Sequence, residues 1–235
     1  MKKIVLLLQM LFLSNISISK GTSDAATVFN NIYSSNMWGM TETVSGPGST
    51  MRLTVNIRKH LPVLLKRLKV TSLLDAPCGD FNWQKTINLN GIKYIGIDIV
   101  KQIIERNQQS YGSPQRAFLQ LNMISDNLPK ADLILCRDLL AHFPYKEIFL
   151  TIDNFKRSGA KYLLATTWKD WPKKPKGKIV SNSKEKIVPN SNIKIGKWRP
   201  LDLEKSPVNF PKPLLLIKEE EPYKHLGLWL LDSIL

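Results

Sequence analysis

The chain has 235 residues, 43% of them hydrophobic, with 34 Lys and Arg against 19 Asp and Glu for a net charge of +15. That is enough apolar material for one packed domain and too much for wholesale disorder. No apolar run reaches the ~20 residues that span a bilayer, and two cysteines cannot form a disulfide scaffold in a chain this long.

Residues 1–20, MKKIVLLLQMLFLSNISISK, open on Lys2 and Lys3 and continue with an apolar run and a Ser-rich stretch in which Ser17 and Ser19 suit a signal peptidase. This is the layout of a secretory signal, with an uncleaved anchor or a buried helix as the alternatives. The expected fold therefore starts after about Ala25. Residues 29–50, FNNIYSSNMWGMTETVSGPGST, read as a polar lead-in ending in loop chemistry. Trp38 and the Ser45–Ser49 segment fit either a lid or a plain N-terminal loop. Leu53, Ile57, Leu61, Leu64, Leu65 and Leu68 follow at helical spacing, and Pro62 predicts a kink or restart.

Strands are predicted over residues 70–74, 93–97, 115–121, 131–136 and 160–166, with helices over 82–89, 100–109 and 146–157 between them. Such alternation specifies a parallel sheet with helices on both faces. Two further apolar runs, 214–217 and 226–231, flank a Glu-rich hairpin. The expected fold class is therefore α/β: a Rossmann-like, mostly parallel seven-stranded sheet closed by a C-terminal antiparallel hairpin. Residues 167–212 form a long loop carrying twelve Lys and Arg against four acids. This excess suits a nucleic acid or another anionic surface, or is a solvated lysine-rich face. Trp168, Trp171 and Trp198 either stack bases there or plug the loop onto the core.

The segment SLLDAPCGDFNW, residues 72–83, runs from a strand into a turn with Pro77 and Gly79. Ligands of open α/β sheets sit at the carboxyl ends of the strands, and Gly79 allows close backbone approach. Asp98, closing YIGID, is placed for ribose hydroxyls. The diphosphate pattern G-x-G-x-x-G is missing, which weakens a nicotinamide reading. Asp75 and Asp80 would repel a pyrophosphate but suit a cation bearing an amino group and a sulfonium, favouring S-adenosylmethionine over NAD or ATP.

LLDAPCGDF, YIGID and ADLILCRDLLAHF, in this order, resemble the first, second and fourth motifs of class I S-adenosylmethionine-dependent methyltransferases. The resemblance covers roughly residues 70–164, and the final hairpin matches that family's closing strands. The lead-in WGMTETVSGPGST is similar to the N-terminal segment of an uncharacterised bacterial subgroup. The resemblance implies a cofactor site formed by Trp38, Asp75, Ala76, Pro77, Cys78, Gly79, Asp80, Asp98, Ile99, Asn122, Met123 and Arg137. The first motif departs from the family in lacking its second glycine. Asn122 stands where the family often has an acid, although an amide can still bond an adenine edge. Arg137, Asp138 and His142 follow the fourth strand, where the acceptor should lie. Asp138 and His142 are the candidate bases, with a helix cap or a contact to the cofactor's methionine end as the alternative for Asp138 and a helix-start residue for His142.

Cys78 reads as a small turn residue and Cys136 as a buried strand residue. The family topology makes their strands neighbours, which leaves a bridge conceivable in an oxidising compartment. The implied function is methyl transfer to a small-molecule acceptor, with no metal. The competing reading is an inert protein of the same fold that binds nucleic acid or an anionic surface through its basic loop. The export-like N-terminus stands in tension with a cytosolic cofactor.

Overall fold

The computed structural model describes residues 22–89, 91–172 and 187–234. The leader-like segment and Lys173, Lys174, Lys176 and Lys178 of the basic loop lie outside them. Among the described residues no helix is long and apolar enough to cross a membrane.

The chain opens with α1 (Thr22–Ser34), where the sequence predicted only a lead-in from Phe29. Ala25, Phe29 and Ile32 follow helical spacing and are buried, so the segment expected to lie outside the fold reaches into the core. Two 3-10 turns, Pro47–Ser49 and Arg52–Thr54, lead to α2 (Val55–Arg67). α2 runs through Pro62 without a restart, its face of Ile57, Leu61, Leu64 and Leu65 packed into the core. The ring costs one backbone hydrogen bond, and this apolar face offsets it.

β1 (Ser72–Asp75) and β2 (Lys93–Asp98) come next. The helix predicted between them is absent. Only a 3-10 turn, Gln84–Thr86, forms there, because Asn82 and Gln84 direct their amides to Glu42, Asp75 and the Ser49 and Cys78 carbonyls. α3 (Lys101–Tyr111), β3 (Arg116–Gln120), β4 (Leu133–Cys136), α4 (Tyr145–Arg157) and β5 (Tyr162–Trp168) follow in the expected alternation. The chain closes with β6 (Leu215–Lys218) and β7 (Lys224–Leu230).

The seven strands form one sheet in the order β3-β2-β1-β4-β5-β7-β6. The first five are mutually parallel, and β7 is antiparallel to both β5 and β6. Strand side chains alternate between two cores. Leu74, Ile134 and Leu163 join α1 and α4 on one face, while Leu73, Leu133 and Leu164 join α2 on the other. The sheet order reverses between β1 and β4, which puts the crevice at the carboxyl ends of these strands. Because β7 is antiparallel and pairs Lys224 with Trp168, the β6–β7 turn lies at the same end.

Candidate functional site

A cavity of about 1250 Å³ opens at this end. Of the residues expected at the site, it brings together Trp38, Asp75, Pro77, Cys78, Gly79, Asp98, Ile99, Asn122, Met123, Arg137, Asp138 and His142. It does not include Ala76 or Asp80. The Ala76 side chain is buried in the core and its N–H donates to Leu135 at 2.8 Å, extending the sheet. Asp80 is a latch for the N-terminal loop. Its carboxylate accepts bonds from Thr43 Oγ1 (2.8 Å), the Val44 N–H (2.9 Å) and Ser45 Oγ (3.0 Å), and its own N–H donates to Ser45 Oγ. Ser45 is thereby laid over the Gly79 turn so closely that a side chain on Gly79 would meet its hydroxyl. Gly79 also has φ +53, in the left-handed region that glycine tolerates.

Two carboxylates end the first two strands. Asp75 Oδ2 accepts the Tyr94 hydroxyl (2.6 Å) and Gln84 Nε2 (2.9 Å), while the buried Oδ1 has no partner among the described residues. Burial pushes Asp75 up to about 7 against those hydrogen bonds. Asp98 accepts the N–H groups of Val100 (2.9 Å) and Gly79 (3.3 Å), and burial raises it to about 6. Neither acid makes an ion pair among the described residues. Asn107 fixes the turn between them by donating to the Gly79 carbonyl at 2.7 Å. Asn122 Oδ1 accepts the Ile124 N–H, which holds its amide in a local turn after β3.

The other half of the cavity is built around ions. Arg137 donates through Nε (2.7 Å) and Nη2 (3.1 Å) to the two oxygens of Glu219, and Nη1 lies 3.2 Å from Asp138. Lys224 Nζ reaches Asp138 (2.7 Å), Glu221 (2.7 Å) and Glu219 (3.2 Å). Arg137, Glu219 and Lys224 are buried. Burial opposes ionisation of Asp138, but the Lys224 and Arg137 charges overcome it and hold the carboxyl at about 2. Asp138 also has φ +60, a conformation that costs a non-glycine residue energy and is held here by its N–H bond to Thr166 Oγ1 at 2.9 Å.

His142 packs against the Trp38 ring at 5.4 Å, and its Nδ1 lies 3.1 Å from the Lys197 carbonyl. A carbonyl only accepts, so Nδ1 carries the proton and Nε2 keeps a lone pair. Burial, reinforced by the Arg199 charge and opposed by Asp138, lowers His142 to about 4 and keeps the ring neutral. Trp168, Trp171 and Trp198 pack edge to face at 5.3–6.0 Å and line the cavity.

Cys78 and Cys136 are both buried free thiols, and burial raises each above the ordinary thiol range. Among the described residues no group of three or more His, Cys, Asp and Glu is arranged to hold a metal. Sequence reasoning missed Glu219, Lys224 and Arg199. The only signal was a Glu-rich hairpin between short apolar strands, which antiparallel pairing brings to the carboxyl end of β5.

The sheet order and the closing hairpin are those of the class I S-adenosylmethionine-dependent methyltransferase fold, and solved structures share it. Human N-acetylserotonin methyltransferase, in complex with S-adenosylmethionine, superposes with a TM-score of 0.55 at 12% identity, over 86% of this chain and 58% of its own. Magnesium protoporphyrin IX methyltransferase from Synechocystis PCC 6803 gives 0.47 at 18% identity, over 61% of this chain and 72% of its own. At these identities the likeness is one of fold. No protein-family model matches the chain, and no curated protein matches it.

Proposed function

We propose that the chain binds S-adenosylmethionine and transfers its methyl group to a small-molecule acceptor. The observation that carries this reading is the pair of buried acids, Asp75 and Asp98, ending adjacent parallel strands around the Gly79 turn with no basic side chain among the described residues paired to either. Asp75 Oδ1, without a partner among the described residues, fits an ammonium group, and Asp98 fits ribose hydroxyls. Asn122 and Met123, after β3, flank the place of the adenine. When bound, the cofactor supplies an electrophilic methyl carbon on a sulfonium.

His142 Nε2 is the proton acceptor in this reading. With the cofactor held by Asp75 and Asp98, its methyl would pass to an acceptor oxygen or nitrogen, the carbon–sulfur electron pair would remain on sulfur as a neutral thioether, and His142 Nε2 would take the proton that the alkylated O–H or N–H gives up. A weakly basic ring suffices because that proton becomes acidic only as the new bond forms. Asp138 is assigned a positioning role instead, since its charge is committed to Lys224 and Arg137. Alignment by the walls of the cavity supplies much of the remaining acceleration.

Calorimetric titration with S-adenosylhomocysteine tests the first half. A saturable, one-site isotherm is expected, and no binding would overturn the reading. Incubation with methyl-labelled S-adenosylmethionine and pooled metabolites, with products identified by mass, tests the second. His142→Ala should then lower the rate about 10²–10⁴-fold while leaving cofactor binding intact.

A further inference from the structure

Arg199 is only 1% exposed and lines the cavity. Its N–H and Nη1 hold the carbonyls of Ala141 (3.1 Å) and Leu140 (2.9 Å), and its guanidinium lies 5.8 Å from the Tyr145 ring. No carboxylate among the described residues pairs with it. Nε and Nη2 are buried and have no hydrogen-bond partner among the described residues. These two nitrogens form one edge of the guanidinium fork, the edge that receives a carboxylate through two parallel bonds. Arg137 demonstrates the fit in the same molecule, where its Nε and Nη2 hold the two oxygens of Glu219 at 2.7 and 3.1 Å.

A buried cation without an anion is costly, and Arg199 registers this. Burial lowers it to about 10, and its charge reaches His142. A second buried donor, Trp168 Nε1, also lacks a partner among the described residues and lines the same cavity. Two other buried cations that line the cavity, Arg137 and Lys224, are already neutralised by Glu219, Asp138 and Glu221.

We infer that the acceptor carries an anionic group, a carboxylate or an oxyanion of similar shape, which docks on the Nε–Nη2 edge of Arg199 while its apolar body lies against Trp168, Trp171 and Trp198. The inference rests on the methyltransferase reading and specifies its substrate class. Arg199 binds the anion and leaves a separate O–H or N–H of the same molecule for His142.

The test uses the whole protein loaded with S-adenosylhomocysteine, titrated with benzoate, phenyl phosphate and neutral benzamide and followed by tryptophan fluorescence and thermal shift. At least one anion should bind about tenfold or more tightly than benzamide, the scale of one charge-assisted contact. Arg199→Gln should abolish that preference, and Arg199→Lys should keep part of it. Benzoate against phenyl phosphate shows which anion the fork accepts. Equal binding of anions and benzamide by the wild type, or an undiminished preference in Arg199→Gln, would overturn the inference. If Arg199→Gln fails to fold, the wild-type selectivity and the Arg199→Lys variant decide. If S-adenosylhomocysteine does not bind, the methyltransferase reading fails by itself, and the same anion titrations on the ligand-free protein still decide Arg199.

Discussion

Gly48 lies directly against the carboxylate of Asp138: a Cβ placed on Gly48 would come within 2.6 Å of Oδ2 and 3.2 Å of Lys224 Nζ. The N-terminal loop and the residue after β4 are thus fitted to one another with no room for a methyl group. Asp138 cannot yield easily, since two cations and the Thr166 hydroxyl hold it. Gly48→Ala is expected to destabilise the protein by about 1–3 kcal/mol, the cost of overpacking a filled site. In an Asp138→Ala background the same change should cost much less. A double-mutant cycle by denaturant unfolding measures that coupling.

Asp98→Ala should weaken S-adenosylmethionine binding by about 1.5–3 kcal/mol, the scale of hydrogen bonds to a charged group. Part of the loss comes from the Gly79 and Val100 N–H groups that the carboxylate now holds. Asp98→Asn, which keeps an acceptor, should lose less. Calorimetry that finds Asp98→Ala binding as tightly as wild type would remove Asp98 from the ribose.

Asp75 sets a pH dependence whose sign is fixed. Its folded pKa, about 7, lies above its ordinary value of 3.8, so between those values the folded chain holds a proton that the unfolded chain has lost. Stability from this group is therefore full below about pH 4 and is lost as pH rises through 7. A cationic ligand acts in the opposite sense, because it favours the carboxylate. Cofactor binding at pH 6.5 should release protons, and affinity should fall as pH drops from 7.5 to 6. Calorimetry in buffers of different ionisation enthalpy reads the release directly, and Asp75→Asn should reduce it. Asp98, raised to about 6, supplies the remainder.

The buried ion cluster predicts an asymmetry between single and double substitutions. Glu219→Leu leaves Arg137 without its two-bond partner and should cost about 3–5 kcal/mol. Replacing Arg137 and Glu219 together, by Met and Leu, should recover much of that loss, because no charge is then stranded by the missing bond. Chemical denaturation of the three variants checks the order.

Breaking the Asp80 latch should free the loop without unfolding the sheet. Asp80→Ala removes three bonds to a carboxylate, and hydrogen exchange at residues 43–49 is expected to accelerate while that of β1 and β4 stays slow.

The sheet was legible because each strand is a short apolar run with an abrupt polar end, and the acids at positions 75 and 98 announced the crevice. α1 was hidden although Ala25, Phe29 and Ile32 carry its period, because the neighbouring leader-like segment drew the boundary past its start. The helix expected after Gly79 failed for another reason: Asn82 and Gln84 serve tertiary partners, which local periodicity does not encode. The ion cluster was illegible in principle from spacing alone. Arg137 and Glu219 are 82 positions apart, and Asp138 and Lys224 are 86 apart. Only the antiparallel return of β7 makes them neighbours. Asp80 sits in the motif that marks the cofactor turn, and its chemistry fits an ammonium group equally well, so nothing local revealed that residues 43–45 claim it.

The connection from β5 to β6 carries Trp171, Lys197, Trp198 and Arg199, whereas Asp75, Asp98 and Asn122 belong to the first three strands and the turns after them. On the proposed function, cofactor chemistry and acceptor choice would therefore be written in different stretches of the chain. The Lys197 carbonyl fixes the His142 tautomer, so the same connection also sets the state of the proposed proton acceptor. If the proposed transfer holds, a change of sequence confined to residues 169–214 would be expected to redirect it to a new molecule while the sheet, the first two strand-end acids and the Gly79 turn remain as they are.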